Sequence, residues 1–273
     1  MAQTKPPLSQ EAGVLFCAVA ADNPGMRTLR LCTYNIHKGF SQFGRRMVIH
    51  DLRERLRMLN PDIALLQEVQ GLHLGHADRH LDWPEEPQHE FLAQSRWHAA
   101  YGGNASYEHG HHGNAILSQL RIHHAENHDV TLHKLECRGL LHCELDDGEG
   151  EAIHSICVHL SLTDQQRRRQ LERLVALVQK SVPPDAPLII AGDFNDWNNR
   201  TDERLTGQLG VFEAFSQHTG HPARSFPSKL PVLRLDRIYL RGFRVLDTAV
   251  HWGHPWSRIS DHAALTATVT RLA

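Results

Sequence analysis

The residues able to do chemistry fall at the ends of apolar runs. Leu188-Ile189-Ile190-Ala191 leads into Gly192-Asp193-Phe194-Asn195-Asp196, so a buried strand is expected to deliver polar groups at its carboxyl end. Positions i and i+2 of an extended chain point the same way, which sets the Asp193 carboxylate beside the Asn195 amide. An apolar strand closing on unpaired carboxylates makes poor sense as packing alone, because desolvating them is costly. Asn35, Glu68, Asn114, His159, Asp236, Asp261 and His262 lie at comparable places on other strand-like runs. Glu68 and Asp261 are hard oxygen ligands suited to Mg²⁺ or Mn²⁺ rather than to zinc. Asp193 and Asn195 can orient an attacking water, and His159 and His262 can donate to phosphate oxygens, where transition-state charge builds. Lys38 and Arg237 flank this set and could line a phosphate pocket, with exposed salt bridges as the competing reading.

The elements that must position these groups follow from patterning. Leu29 to Ile36 alternates like a strand, and Arg46 to Asn60 is an amphipathic helix with Val48, Leu52, Leu56 and Leu59 on one stripe. Ile63 to Leu66 is a buried strand ending in Gln67-Glu68, and a short helix is expected near Glu90. Strands at Trp97 to Tyr101 and Gly113 to Ser118 bracket a His-rich stretch (His109, His111, His112), read as a solvated loop in preference to a metal site. Leu140 to Leu145 and Ala152 to Leu160 flank the hairpin signal Asp146-Asp147-Gly148. Thr163 with Gln166 predicts a capping box opening a helix to about Lys180, with Leu171, Leu174, Val175 and Val178 inward. After the strand at Leu188 comes a polar, irregular stretch, then strands at Arg234 to Leu240, Phe243 to Val250 and Ala263 to Val269. Many strands with two strong helices argue for a mixed α/β (α+β) fold, a layered sandwich of two sheets with helices outside. Residues 1–26 read as a peripheral segment and 27–273 as one domain.

Bulk properties narrow the partners. The chain has 273 residues, 41% hydrophobic and 22% charged, the composition of an ordinary globular protein. A net charge of −2 leaves no overall basic field for a long duplex, although a local basic rim could serve a nuclease. Cys17, Cys32, Cys137, Cys143 and Cys157 are odd in number and scattered, which suits a reducing compartment and a cytoplasmic protein. The apolar run Gly13 to Ala21 is shorter than the roughly 20 residues needed to cross a bilayer, so no stable membrane insertion is expected. No protein partner is inferable. Arg167, Arg168 and Arg169 splay around their helix and read as a solvated face. Trp197, Trp252 and Trp256 lie near site motifs and could wall off a base, a lipid chain or a ring, with core packing the alternative.

Thr33-Tyr34-Asn35-Ile36, Leu66-Gln67-Glu68-Val69, Gly113-Asn114-Ala115-Ile116-Leu117-Ser118, Val158-His159-Leu160, Gly192-Asp193-Phe194-Asn195, Leu235-Asp236-Arg237-Ile238 and Ser260-Asp261-His262 occur in that order. Together they resemble the endonuclease/exonuclease/phosphatase (DNase I-like) superfamily. The resemblance implies a four-layer sandwich and Mg²⁺-dependent (or Mn²⁺-dependent) cleavage of a phosphate ester. It implies Glu68 as main metal ligand, supported by Asn35, with Asp261 a second ligand or a group behind it. It implies Asp193 as the residue that orients or deprotonates water, and Asn195 and Asn114 as phosphate or edge contacts. His159 would face phosphate, and His262, oriented by Asp236, would stabilise the transition state. The apurinic-site enzymes of the family carry an acidic residue where this chain has His37, which puts a second nuclease-type metal in question. The substrate stays open between nucleic acid, phospholipid and inositol phosphate. The reading of a different class is a binding protein that keeps the fold without the chemistry; intact Glu68, Asp193, Asp261 and His262 argue against it.

Overall fold

The computed structural model describes residues 27–272 except 42–45, 74–81, 109, 134–135, 147, 149 and 199–200. The readings made for residues 1–26 and for His109 lie outside the described residues. One six-stranded sheet is built from β1 (Thr28–Asn35), β2 (Ile63–His73), β3 (His98–Tyr107), β4 (Gly110–Ser118), β11 (Phe243–His251) and β12 (Ala264–Arg271), in the order β11-β12-β1-β2-β4-β3. The other holds β5 (Arg121–Asp129), β6 (Gly139–Asp146), β7 (Ile153–His159), β8 (Leu188–Asp193), β9 (Phe212–Glu213) and β10 (Asp236–Arg241), in the order β5-β6-β7-β8-β10-β9. Helices α1 (Ile49–Leu59) and α2 (Gln88–Ala93) cover the outer face of the first sheet. Helices α3 (Asp164–Ser181) and α4 (Thr201–Leu209) cover the second, and the short α5 (Ala214–Thr219) follows β9.

The two sheets repeat one plan. Each has a single parallel pair at its centre, β1 with β2 and β7 with β8. A parallel pair needs a crossover, and α1 and α3 supply one each. The carboxyl ends of β1, β7 and β8 lie at one end of the sandwich, linked across the sheets by the hydrogen bond from Asn35 to Asp193, and β2 continues past them to His73. Between the sheets, Leu31, Leu65 and Ile116 pack against Leu141, Cys157, Ile189 and Ile238. Outside, Ile49, Leu52 and Leu56 seal the first sheet, and Leu171, Leu174 and Val178 the second. The continuous apolar run of β8 has this cause: Ile189 and Ala191 face the inner core, while Leu188 and Ile190 face α3 and α4.

Gly192 belongs to β8 rather than to a sharp turn after it. A Cβ there would sit 1.9 Å from the carbonyl oxygen of Val158 on β7, and the residue holds φ at +150°. Backbone cannot yield as a side chain can. Gly192→Ala is accordingly expected to destabilise the chain by about 2–3 kcal/mol, read as a lower urea midpoint. An unchanged midpoint would contradict the close approach.

Four expectations need correction. Gly110 to His112 is not a loop but the start of β4, paired with β3 as far as Tyr107. Thr163 is the N-cap of α3, yet its side chain makes no capping bond. Arg167 is not solvated; it is buried and donates to the carbonyls of Ser161 and Leu162, which fixes the chain entering α3. The stretch after Asp196 is not irregular throughout, since it contains α4, β9 and α5. Among the described residues no helix is long and apolar enough to cross a membrane.

Candidate active site

Register brings the polar strand ends together. His159 is the Cα partner of Asp193 across β7 and β8, and Asp193 is the partner of Asp236 across β8 and β10. Paired residues share a face, so these three side chains form a row facing the first sheet. Opposite them, Asn35 ends β1, and Glu68 sits where the β2–β4 register shifts. Glu68 takes φ of +55°, uncommon outside glycine, and this re-aims its carboxylate. Asn35 joins the sheets: its Nδ2 donates to Asp193 Oδ2 at 3.2 Å and to Glu68 Oε1 at 3.4 Å. Ser260 ties in the last loop, donating to the Asn35 carbonyl at 2.7 Å and accepting the His262 amide at 3.2 Å.

Asp193 lies between two histidines. Its Oδ2 is 3.6 Å from His159 Nε2 and 3.7 Å from His262 Nε2. The Nδ1 of His262 is 2.8 Å from Asp236 Oδ2. Burial alone would lower the His262 pKa, but the carboxylates of Asp236 and Asp193 outweigh it and raise the pKa to about 10. Nothing comparable rescues His159. Burial lowers its pKa first, and Arg138, His262, His112 and Lys38 add positive charge in the same direction. One histidine is thus an imidazolium at neutral pH and the other a neutral ring, on either side of one carboxylate. Asp193 is itself raised to about 7, mainly by burial, with Asp236 adding to the shift and His262 opposing it.

The other predicted residues divide. Lys38 Nζ lies 3.9 Å from Glu68 Oε2 at the open side of the site. Asp261 follows Ser260, which is bonded to Asn35, and its charge reaches His262. Asn195 is adjacent to Asp193 but not as a strand neighbour. It lies past the end of β8 with φ of +49°, its amide donates to Asp193 Oδ1 at 2.9 Å, and its Nδ2 donates to the Leu160 carbonyl at 2.9 Å. It therefore braces the Asp193 carboxylate through the loop. Asn114 is fully buried and links the sheets, donating to the Gly139 carbonyl at 2.9 Å; its Oδ1 has no hydrogen-bond partner among the described residues. Arg237 does not line the pocket. Strand alternation turns it to the face opposite Asp236, where it is fully buried, 3.7 Å from Asp196 and 4.0 Å from Asp202. His37 is likewise occupied locally, with Nδ1 3.1 Å from the Phe40 carbonyl.

Several residues at the site carried no signal in the sequence. The buried Ser225 hydroxyl accepts the amides of Leu235 and Asp236 and so holds the start of β10. The Phe226 ring lies 5.1 Å from His262, and Trp197 meets Phe226 edge-on at 6.4 Å. Trp197 and Trp252 are exposed, whereas Trp256 packs on Tyr34 beside the outer core, so the three tryptophans do not form one wall. Arg138 acts on His159 through space from a position that no motif marks.

Two groups could hold a cation here. Asp193, Asp236 and His262 offer donor atoms within 4.8 Å of one another. The 2.8 Å contact between His262 and Asp236 already uses that space as a charge pair. Glu68 with Asn35 fits a hard ion better. Its carboxylate is partly open to solvent, the Lys38 ammonium 3.9 Å away holds a position that a cation would take over, and Mg²⁺ needs only one or two protein carboxylates alongside water.

Comparisons with known proteins identify the family and the fold. A model of the endonuclease/exonuclease/phosphatase family matches residues 32–262. The uncharacterized protein YbhP of Escherichia coli K12 is 42% identical over 244 residues, covering 89% of this chain and 96% of that protein. An endonuclease/exonuclease/phosphatase from Beutenbergia cavernae superposes with a TM-score of 0.69 at 18% identity, over 90% of this chain and 72% of that one. TDP2 of D. rerio, solved with a single strand DNA product, superposes with a TM-score of 0.65 at 19% identity, over 89% of this chain and 98% of that one. The family match spans the strand ends that converge on Asp193, and the fold is shared over nearly the whole described chain. The chain belongs to the endonuclease/exonuclease/phosphatase family, a group of phosphodiesterase- and nuclease-like hydrolases.

Proposed function

We propose that this protein is a Mg²⁺-dependent (or Mn²⁺-dependent) phosphodiesterase in which water attacks phosphorus in line. The observation that carries this reading is the convergence of Asn35, Glu68, His159, Asp193, Asp236 and His262 from both sheets onto one buried polar cluster. Glu68 and Asn35 would hold the ion, with Asp261 as a further ligand or a group behind it. When bound, the ion neutralises charge developing on the phosphoryl oxygens. Asp193 orients the water and accepts its proton. A carboxylate raised towards neutral pH is well matched to that task. The His262 imidazolium, held by Asp236, donates to a phosphoryl oxygen, and His159 donates as a neutral ring. Asn195 keeps Asp193 in place, and Asn114 fixes the spacing of β4 against β6 and β7. Arg237 braces the loop after Asp193 and makes no phosphate contact.

A nucleic-acid strand is the favoured substrate. The half-exposed Lys38 lies at the open side of the site, and Phe226 with Trp197 offers ring faces beside His262. D. rerio TDP2, of the same fold, is solved with a single strand DNA product. A phospholipid head group is the second reading. It is favoured by exposed Leu230, Val232 and Trp252 on segments tied to the Asp261 loop through Ser228. Scattered cysteines, free at the four described positions, support a reducing, cytoplasmic setting.

The test is hydrolysis of bis-nitrophenyl phosphate with Mg²⁺ and with EDTA, beside plasmid nicking, phospholipid head-group release and inositol phosphate dephosphorylation. Metal-dependent turnover is expected, with nicking the strongest natural activity. Inactivity on every substrate would favour the binding-protein reading. In the same assay Glu68→Gln should raise the Mg²⁺ concentration for half-maximal rate about tenfold or more. An unchanged titration would move the ion elsewhere.

A further inference from the structure

A second set of metal-binding side chains lies on the far side of the second sheet. Leu141, Cys143 and Leu145 of β6 point into the core between the sheets, so His142 and Glu144 project from the opposite face. His154 of β7 is the Cα partner of Glu144, and His124 and Glu126 of β5 are the partners of Glu144 and His142. All of these share that outer face. His142 Nε2 and His154 Nδ1 are 3.0 Å apart, with their rings stacked at 5.2 Å. One donor atom from each of His142, Glu144 and His154 lies within 4.8 Å of the others. The ring of His128 lies 6.5 Å from His142, with its Nε2 3.5 Å from Glu126 Oε2. Both central histidines are buried and Glu144 is half-buried.

We infer that His142, Glu144 and His154 form a site for a divalent transition metal of the Zn²⁺ class, separate from the hydrolytic centre. Two imidazoles and one carboxylate suit zinc and its neighbours, not magnesium. Zn–N bonds of about 2.0 Å at the tetrahedral angle put two ring nitrogens roughly 3.3 Å apart, close to the 3.0 Å found. His154 is five residues before His159 on β7 and on the other face, so the two sites are roughly 16 Å apart along the strand. A bound ion would clasp β6 to β7 near the β5 edge, where side chains are mostly exposed.

Zinc titration by calorimetry, with Mg²⁺ in excess to hold the hydrolytic site, tests this on the full chain. Wild type should bind Zn²⁺ with a Kd of about 10 µM or tighter, and Co²⁺ should give the visible bands of a tetrahedral ion. His154→Asn should take up one equivalent less and lose those bands, while Mg²⁺-dependent diester hydrolysis stays within about twofold. Glu144→Gln, at a half-buried position, repeats the test should His154→Asn fold poorly. Binding weaker than about 10 µM in wild type, or equal uptake by wild type and both variants, overturns the inference.

Discussion

Asp193→Asn is expected to lose about 10³-fold in kcat while folding normally. The carboxylate sits against two histidines, and its raised pKa reflects burial beside a second carboxylate, Asp236. Asparagine keeps the shape and can accept from either Asn35 or the Asn195 amide, but not from both, and it cannot take a proton from water. It also removes a buried charge that burial disfavours, so the melting temperature should hold or rise by a few degrees. That combination separates a catalytic loss from a folding defect. Full activity in Asp193→Asn would remove the residue from the chemistry, and a large fall in melting temperature would make its role structural.

His262→Gln should cost about 10²–10³-fold in kcat, because it deletes the donor aimed at the charge that develops on phosphate. Asp236→Asn should cost less at neutral pH and change the pH profile. In wild type the carboxylates of Asp236 and Asp193 lift the His262 pKa to about 10 against the opposing effect of burial. A raised pKa keeps the imidazolium as pH rises, and activity is lost only as pH passes through that value. Without Asp236, burial regains the upper hand and the alkaline limb should move down by about one unit or more. An identical alkaline limb in Asp236→Asn would show that this limb reports another group.

The sequence disclosed most of the fold where burial is two-sided. β8 is legible because Leu188 and Ile190 serve one core and Ile189 and Ala191 the other, leaving an unbroken apolar run. β5 was missed because Arg121–Asp129 is an edge strand with both faces largely wet, so neither alternation nor apolar content marks it. α4 was missed because only Thr201, Leu205 and Leu209 of its turns are buried. The expectation of strand carboxyl ends holds for Asn35, His159 and Asp193, but Asp236 begins β10, Glu68 and Asn114 lie within β2 and β4, and His262 precedes β12; the pairing of His262 with Asp236 came from resemblance. Their separation of 26 positions follows no spacing rule. Arg237 could have been placed correctly, since alternation on β10 sends it away from Asp236. Asn195 could not, because its left-handed backbone breaks the extended geometry that an i, i+2 argument assumes. Ser225 and Arg138 act through backbone contacts and through space, and neither leaves a trace in patterning.

The most direct measurement is anomalous scattering from a crystal grown with Mn²⁺ and inorganic phosphate. The account predicts a manganese peak bound by Glu68 with Asn35 alongside, and a phosphate reached by both His159 and His262, with Asp193 between the two rings. Manganese remote from Glu68, or phosphate bound away from that histidine pair, would contradict it.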